Sequence, residues 1–150
     1  LAGRSPVRIV LDRTLRLSPA SKLATSARSV PLMIAAGGDA DFRRRANLER
    51  AGASFLAIET FESRIALPEL LEDLASRGMS SVIVEGGAAT ARYFLDEGLV
   101  DRIALFRSDV LIGEGGIAAP IDHEHVPQGF RLLREARFGD DFYAEWIRSA

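Results

Sequence analysis

Short apolar runs rich in β-branched residues recur along the chain, and each is bounded by proline, glycine or aspartate, which is how buried strands read. Val7-Arg8-Ile9-Val10-Leu11, between Pro6 and Asp12-Arg13, predicts a first strand. Pro31-Leu32-Met33-Ile34-Ala35, ending at Gly37-Gly38, predicts a second, Ser54-Phe55-Leu56-Ala57-Ile58 a third, and Ser81-Val82-Ile83-Val84 a fourth. The segments between them change period. From Asp39 to Gly52 the chain opens on aspartates, carries Phe42, Ala46 and Leu48 on its apolar side and closes on glycine, the start and stop signals of a helix. A second helix begins near Pro68, carries Leu70, Leu71, Leu74 and Ala75 as one stripe, and ends at Gly78. A third, Ala88 to Glu97, turns Ala91, Phe94 and Leu95 inward.

Alternating strands and helices predict an α/β fold with parallel pairs and right-handed crossovers. Past Arg102 the pattern changes. Arg102-Ile103-Ala104-Leu105-Phe106 reads as a strand, and a glycine-containing loop then runs to Gly129. Two alternating runs, Arg131 to Phe138 and Phe142 to Arg148, flank Gly139-Asp140-Asp141 as an antiparallel hairpin. No repeat or linker divides the chain, so residues 1–150 are expected to form a single domain.

Composition narrows the chemistry. With 19 basic and 21 acidic residues among 150, the net charge of −2 gives no pull toward nucleic acid or an anionic membrane. Hydrophobic residues at 47% and charged ones at 27% support a folded core. No apolar run approaches the roughly 18 residues of a membrane span, and Leu1 to Pro6 carries no signal-peptide pattern, so the cytoplasm is the expected compartment. The absence of cysteine removes disulfides and thiolate chemistry, and two histidines leave little for a metal site.

The junction Val84-Glu85-Gly86-Gly87-Ala88 carries the clearest chemical signal. A helix that opens after two glycines exposes unpaired N–H groups at its positive end, and glycine lets the pyrophosphate of a dinucleotide approach the backbone. An ordinary tight turn between strand and helix fits the same letters. Glu85, at the carboxyl end of the predicted fourth strand, faces a ligand crevice or caps the turn. Arg13, just past the first strand, either pairs with a phosphate through its guanidinium or stands in solvent like most of the 18 arginines. Arg43-Arg44-Arg45 read as a solvated helix face, and His123 and His125 as loop residues without a third metal ligand. Gly113-Glu114-Gly115-Gly116-Ile117-Ala118 matches the letters of a dinucleotide fingerprint, but Ala119-Pro120 follows where a helix would have to open, so a loop is expected there.

Pro6 to Arg13, Ser80 to Gly87, Leu99-Val100-Asp101-Arg102 and Leu111-Ile112-Gly113, in that order and spacing, resemble the C-terminal reductase domain of the bifunctional riboflavin-biosynthesis deaminase/reductase family. The resemblance spans nearly the whole chain and departs from the family pattern around Ser108-Asp109-Val110. It implies a dihydrofolate reductase-like α/β fold: a mixed sheet, mostly parallel, with a C-terminal antiparallel hairpin and helices on both faces. It further implies NADPH-dependent reduction of 5-amino-6-(5-phosphoribosylamino)uracil to its ribitylamino product. By position, Glu85 would contact the substrate, and the backbone of Gly86, Gly87, Ala88, Ala89, Thr90, Ala91, Arg92 and Tyr93 would hold the cofactor pyrophosphate. Arg13 would lie by the adenosine end.

No metal and no protein nucleophile are implied, and no residue is assigned as catalytic. The family's reductase domain is expected to begin upstream of Leu1, where a first strand and part of the nicotinamide pocket would lie, with a zinc-binding deaminase half fused beyond. The small-molecule substrate is then the expected partner, together with a second copy of the chain packed through Phe142, Tyr143 and Trp146 of the hairpin. Two other readings stay open: a reductase of the same fold with another acceptor, and a non-catalytic nucleotide-binding or dimerisation module.

Overall fold

The three apolar runs of the N-terminal half become strands because each finds a parallel neighbour for its backbone. The computed structural model describes residues 5–111 and 113–149. The N-terminal Leu1 to Arg4, part of the stretch read for a signal segment, and Ile112 of the Leu111-Ile112-Gly113 turn lie outside the described residues. The chain separates into two compact units, residues 1–81 and 82–150.

In the first unit, β1 (Arg8–Leu11), β2 (Leu32–Ala36) and β3 (Ser54–Ala57) form a parallel sheet in that order. Leu11 pairs with Ala35 and Ala35 with Leu56. The central strand is covered on both sides, since its neighbouring residues Ile34 and Ala35 are both fully buried. On the Leu32, Ile34 and Ala36 side the core includes Ala24 of α1 (Lys22–Thr25) and Leu48 of α2 (Phe42–Ala51). Asp41 caps α2 by accepting from Arg44 N at 2.8 Å, and Gly52 closes it with a left-handed φ of 110°, as the aspartate and glycine signals predict. The apolar side expected of this helix is corrected: Phe42 is 80% exposed. At 100° per residue, six positions place Phe42 well off the Leu48 direction. Arg45 instead covers part of that side, its guanidinium 4.7 Å over the Phe55 ring.

Two elements of this unit have no counterpart among the sequence expectations. One is α1, a single turn capped by Ser21. The other is a small hairpin, β4 (Thr60–Phe61) and β5 (Arg64–Ile65), whose two loop residues Glu62 and Ser63 both take positive φ. The helix predicted near Pro68 is α3 (Leu67–Ser76), with the proline in its first turn. Its buried stripe is Leu67, Leu70 and Leu74, each contributing on the order of 2 kcal/mol by leaving water, while Ala75 is exposed.

In the second unit, α4 (Ala88–Asp96) buries Phe94. The strands β6 (Arg102–Arg107), β7 (Phe130–Phe138) and β8 (Asp141–Arg148) form an antiparallel sheet in the order β6-β8-β7. Phe138 pairs with Asp141 across the two-residue loop Gly139-Asp140, and only Gly139 takes positive φ, as a tight hairpin turn requires. One face of this sheet buries Ile103, Ala144 and Trp146 with Leu95 of α4 and Ile121 and Val126 of the long loop.

The α/β class, the parallel strands and the C-terminal antiparallel hairpin match expectation. Among the described residues the parallel and antiparallel strands lie in separate sheets. The fourth strand expected at Ser81 to Val84 is not formed within either unit among the described residues. β-branched residues favour extended backbone, but a strand exists only where a neighbour completes its hydrogen bonds.

Candidate functional site

The N-terminus of α4 starts at Gly87, which occupies the cap position with φ −62° and ψ 176° and offers no side-chain oxygen. The first intrahelical bond is Ala91 N to Gly87 O at 3.1 Å. The N–H groups of Ala88, Ala89 and Thr90 therefore have no acceptor among the described residues and point, with the helix dipole, at whatever occupies the helix entrance.

The two glycines do different work there. A Cβ on Gly86 would lie 2.6 Å from Thr90 Cβ and 2.7 Å from its Cγ2, so only glycine fits beneath that side chain. A Cβ on Gly87 would meet nothing within 4 Å. The residues present suit a diphosphate: three unpaired donors, no acidic side chain in the first turn, and no atom within 4 Å of the place a Gly87 side chain would take. Glu85 precedes them in an exposed segment, not at the end of a paired strand as the sequence suggested. Arg92 is exposed and Tyr93 half-buried.

Arg13 belongs to the first unit. Asp12 and Arg13 follow β1 and Gly37 follows β2, and the ladder continues one step past both strands through Asp12 N to Ala35 O at 3.0 Å and Gly37 N to Arg13 O at 3.2 Å. These are carboxyl ends of parallel strands, where open α/β sheets leave room for ligands. The Asp12 carboxylate is buried and accepts from Leu17 N at 2.7 Å, holding a loop in which buried Leu15 takes φ 56°. Arg13 is only part-exposed, and its Nη1 meets Asp39 Oδ2 at 3.1 Å. A cleft of about 350 Å³ opens on the same loop, between Leu15–Pro19 and Arg44 with Asn47.

Asp12, Gly37 and Asp39 went unmarked as site residues in the sequence. Gly37-Gly38 and Asp39 carried a signal, small residues and a carboxylate directly after an apolar run, but only the Leu11–Ala35 register brings them to Arg13.

The remaining candidates separate cleanly. Gly113 to Ala118 forms an exposed loop with Gly113 and Gly115 at left-handed φ, and no helix opens there, as expected. Of the three adjacent arginines, Arg44 reaches Thr14 O at 3.4 Å and Arg45 pairs with Glu49 at 3.1 Å. His123 Nε2 lies 3.0 Å from Glu135 Oε1, and His125 Nδ1 lies 2.9 Å from Asp122 Oδ1.

The aromatic residues expected to face a second copy are divided by the alternation of β8. Trp146 is buried and Phe142 packs beside it, while Tyr143 points to the opposite face with Phe106 and Phe138, at ring separations of 4.7 and 5.9 Å. Partial desolvation, and then Glu145, push the Tyr143 phenol above its ordinary value. The expectation is corrected for Trp146: a period of two cannot place residues 143 and 146 on one face.

Comparison with known proteins adds the rest. The family model described as RibD C-terminal domain matches residues 1–143, across both units. Riboflavin biosynthesis protein RibD of Bacillus amyloliquefaciens is 34% identical over 119 residues, covering 79% of this chain and 31% of that protein. The 2,5-diamino-6-ribosylamino-4(3H)-pyrimidinone 5′-phosphate reductase of Aquifex aeolicus (strain VF5) is 27% identical over 132 residues, covering 88% of this chain and 56% of that protein. Among solved structures, Acinetobacter baumannii RibD superposes with a TM-score of 0.70 at 26% identity, covering 97% of this chain and 38% of that one. The chain thus spans about a third to a little over half the length of these relatives.

Proposed function

The chain belongs to the RibD C-terminal domain family, and on that premise we propose that it serves NADPH-dependent reduction of 5-amino-6-(5-phosphoribosylamino)uracil to the ribitylamino product in riboflavin biosynthesis. The observation that carries this reading is the entrance of α4, where three unpaired N–H groups meet open space and Thr90 leaves room only for glycine at position 86. Gly86 to Tyr93 hold the cofactor's diphosphate through backbone donors. Arg13 binds at the adenosine end, and Glu85 orients a substrate hydroxyl. A reduced nicotinamide bound there would supply the hydride for C1′ of the open-chain aldehyde or imine form of the substrate, with the balancing proton drawn from solvent or a nearby group. The residues named contribute position and charge, with no protein nucleophile, since most of the rate of such a transfer comes from holding donor and acceptor in contact.

The two units act as one reductase domain in this reading. The fused deaminase of the family's bifunctional members supplies the acceptor, in the cytoplasm. A second copy packs on the open sheet face through Phe106, Phe138 and Tyr143, with Phe106 and Phe138 more than half exposed. Sedimentation of wild type and Phe106→Ser tests that last step, a dimer in the first and a monomer in the second being the expected result.

NADPH titration followed by addition of acceptor tests the activity. The pyrimidine named for the Aquifex aeolicus relative carries an amino group in place of the 2-oxo group of the uracil, so both acceptors are assayed. Binding, followed by oxidation of the cofactor only when acceptor is present, is the expected result. Binding without oxidation at any protein concentration favours the non-catalytic nucleotide-binding module instead.

A further inference from the structure

Two arginines flank one aromatic ring on the face of the antiparallel sheet that buries Ile103, Ala144 and Trp146. Arg107 of β6 and Arg137 of β7 are both register partners of Phe142 in the middle strand β8. The three residues form a row across the sheet, and their side chains project from the same face. The Arg107 guanidinium carbon lies 5.7 Å from the centre of the Phe142 ring, and the His123 ring, from the loop ahead of β7, meets that ring edge-on at 4.8 Å. We propose that this row is a second anion site, separate from the entrance of α4, and that it takes a phosphate monoester between Arg107 and Arg137.

The charge of the row is left uncompensated. Both arginines are exposed, and neither has a carboxylate partner among the described residues, whereas Arg102 at the other end of β6 pairs with Glu145 at 3.0 Å. Glu135 stands one row away on the same face, opposite Ala144, and is occupied by His123 Nε2 at 3.0 Å. Asp122 of the same loop is occupied by His125. Asp141, next to Phe142 along β8, projects from the opposite face. Two guanidinium groups on one row repel each other, and an anion shared between them removes that cost.

The spacing selects the ligand. Neighbouring strands are about 4.8 Å apart, so the backbones of Arg107 and Arg137 stand about 10 Å apart, a gap that two arginine side chains close onto one small ion. Each guanidinium offers a planar fork that engages two oxygens at once. A carboxylate, with two oxygens, satisfies one fork. A phosphate monoester brings three oxygens and close to two charges, and can serve both. Half-buried Phe142 supplies an apolar floor beneath the ion, which strengthens both contacts relative to open water.

NMR titration of the nitrogen-15-labelled chain with ribose 5-phosphate, and separately with inorganic phosphate, at fixed ionic strength and with NADPH present, tests this. Saturable shifts at the amides of Arg107, Phe142 and Arg137, with a Kd of roughly millimolar, are the expected result. Tighter binding of the sugar phosphate would make a phosphorylated sugar the ligand, and equal binding would make it free phosphate. Arg107→Gln and Arg137→Gln should each weaken binding about tenfold, the scale of one charge-assisted hydrogen bond. Arg131→Gln, on the opposite face of β7 beside Ile147, should leave it unchanged. The amide dispersion of the same spectra shows that each variant folds. Shifts that never saturate, or equal weakening in Arg131→Gln, would reduce the row to diffuse surface charge and overturn the assignment. Shifts seen without NADPH and abolished by it would place the ion at the cofactor site and overturn the assignment as well.

Discussion

Thr90 stands directly over the Cα of Gly86, so that a methyl group on that carbon would lie 2.6 Å from Thr90 Cβ. The obstructing atom is a Cβ fixed to the helix backbone, which no rotamer change removes. Gly86→Ala must therefore push the start of α4 out of place, at a cost of about 1–3 kcal/mol for an overpacked contact. Thr90→Ala leaves the Cβ where it is and gives no rescue, whereas Thr90→Gly clears it. Urea unfolding of the two single variants Gly86→Ala and Thr90→Gly and of their combination should show a favourable coupling of about 1 kcal/mol or more. Additive losses would show that the crowding seen at this turn is relaxed in solution.

Gly87 faces the opposite situation, with open space at the position of a Cβ and an unused cap site. Aspartate is among the best residues at a helix cap and carries the charge that the dipole favours. Gly87→Asp should thus leave the fold intact or firmer by a few tenths of a kcal/mol. The same carboxylate occupies the donors that the diphosphate needs, and NADPH binding should be lost. Thermal melts and cofactor titration on one sample separate the two effects, and unchanged affinity would move the diphosphate elsewhere.

Local chemistry made much of this fold readable in advance. Asp41 and Gly52 bracket α2, Pro68 opens α3, and Gly139 turns the last hairpin, each because a single residue meets a local backbone need. Ser81 to Val84 reads as a strand because its letters report extended preference, but they are silent about a partner, and neither unit by itself supplies one. The β4–β5 hairpin was invisible for the converse reason: Glu62 and Ser63 take left-handed backbone without the glycine or asparagine that usually announces it. At the candidate site, the donors of α4 followed from two adjacent glycines. The Arg13–Asp39 pair did not, because it joins residues 26 positions apart through strand register.

Asp12 is a buried carboxylate whose Oδ2 takes the N–H of Leu17 at 2.7 Å, while its own carbonyl takes that of Leu15 at 3.1 Å. Together they fix a loop that holds Leu15 at positive φ with its side chain buried. Asp12→Ala leaves the Leu17 donor unpaired and should cost about 1–3 kcal/mol, with Asp12→Asn milder because it keeps an acceptor oxygen. Denaturant unfolding checks the magnitude. Hydrogen exchange at Leu17 checks the cause, since a loss of stability without faster exchange there would place the role of Asp12 elsewhere.

The loop ahead of β7 carries its own acid-sensitive tie. The His125 side chain, hydrogen-bonded at 2.9 Å, is the main reason the Asp122 carboxyl is held below its ordinary 3.8; partial desolvation opposes it, and the backbone N–H groups of His125 and Glu124 assist. A carboxylate with a depressed value in the folded chain stabilises the loop fully above the unfolded value of 3.8 and loses that contribution as pH falls through the lower folded value. The Asp122 carboxyl carbon, followed by NMR, should titrate below 3.8 in wild type. His125→Gln should raise the midpoint toward 3.8 without reaching it, because the two backbone donors remain. A midpoint at or above 3.8 in wild type would show that the loop is not held this way in solution, whereas one unmoved by His125→Gln would leave the depression to the backbone donors alone.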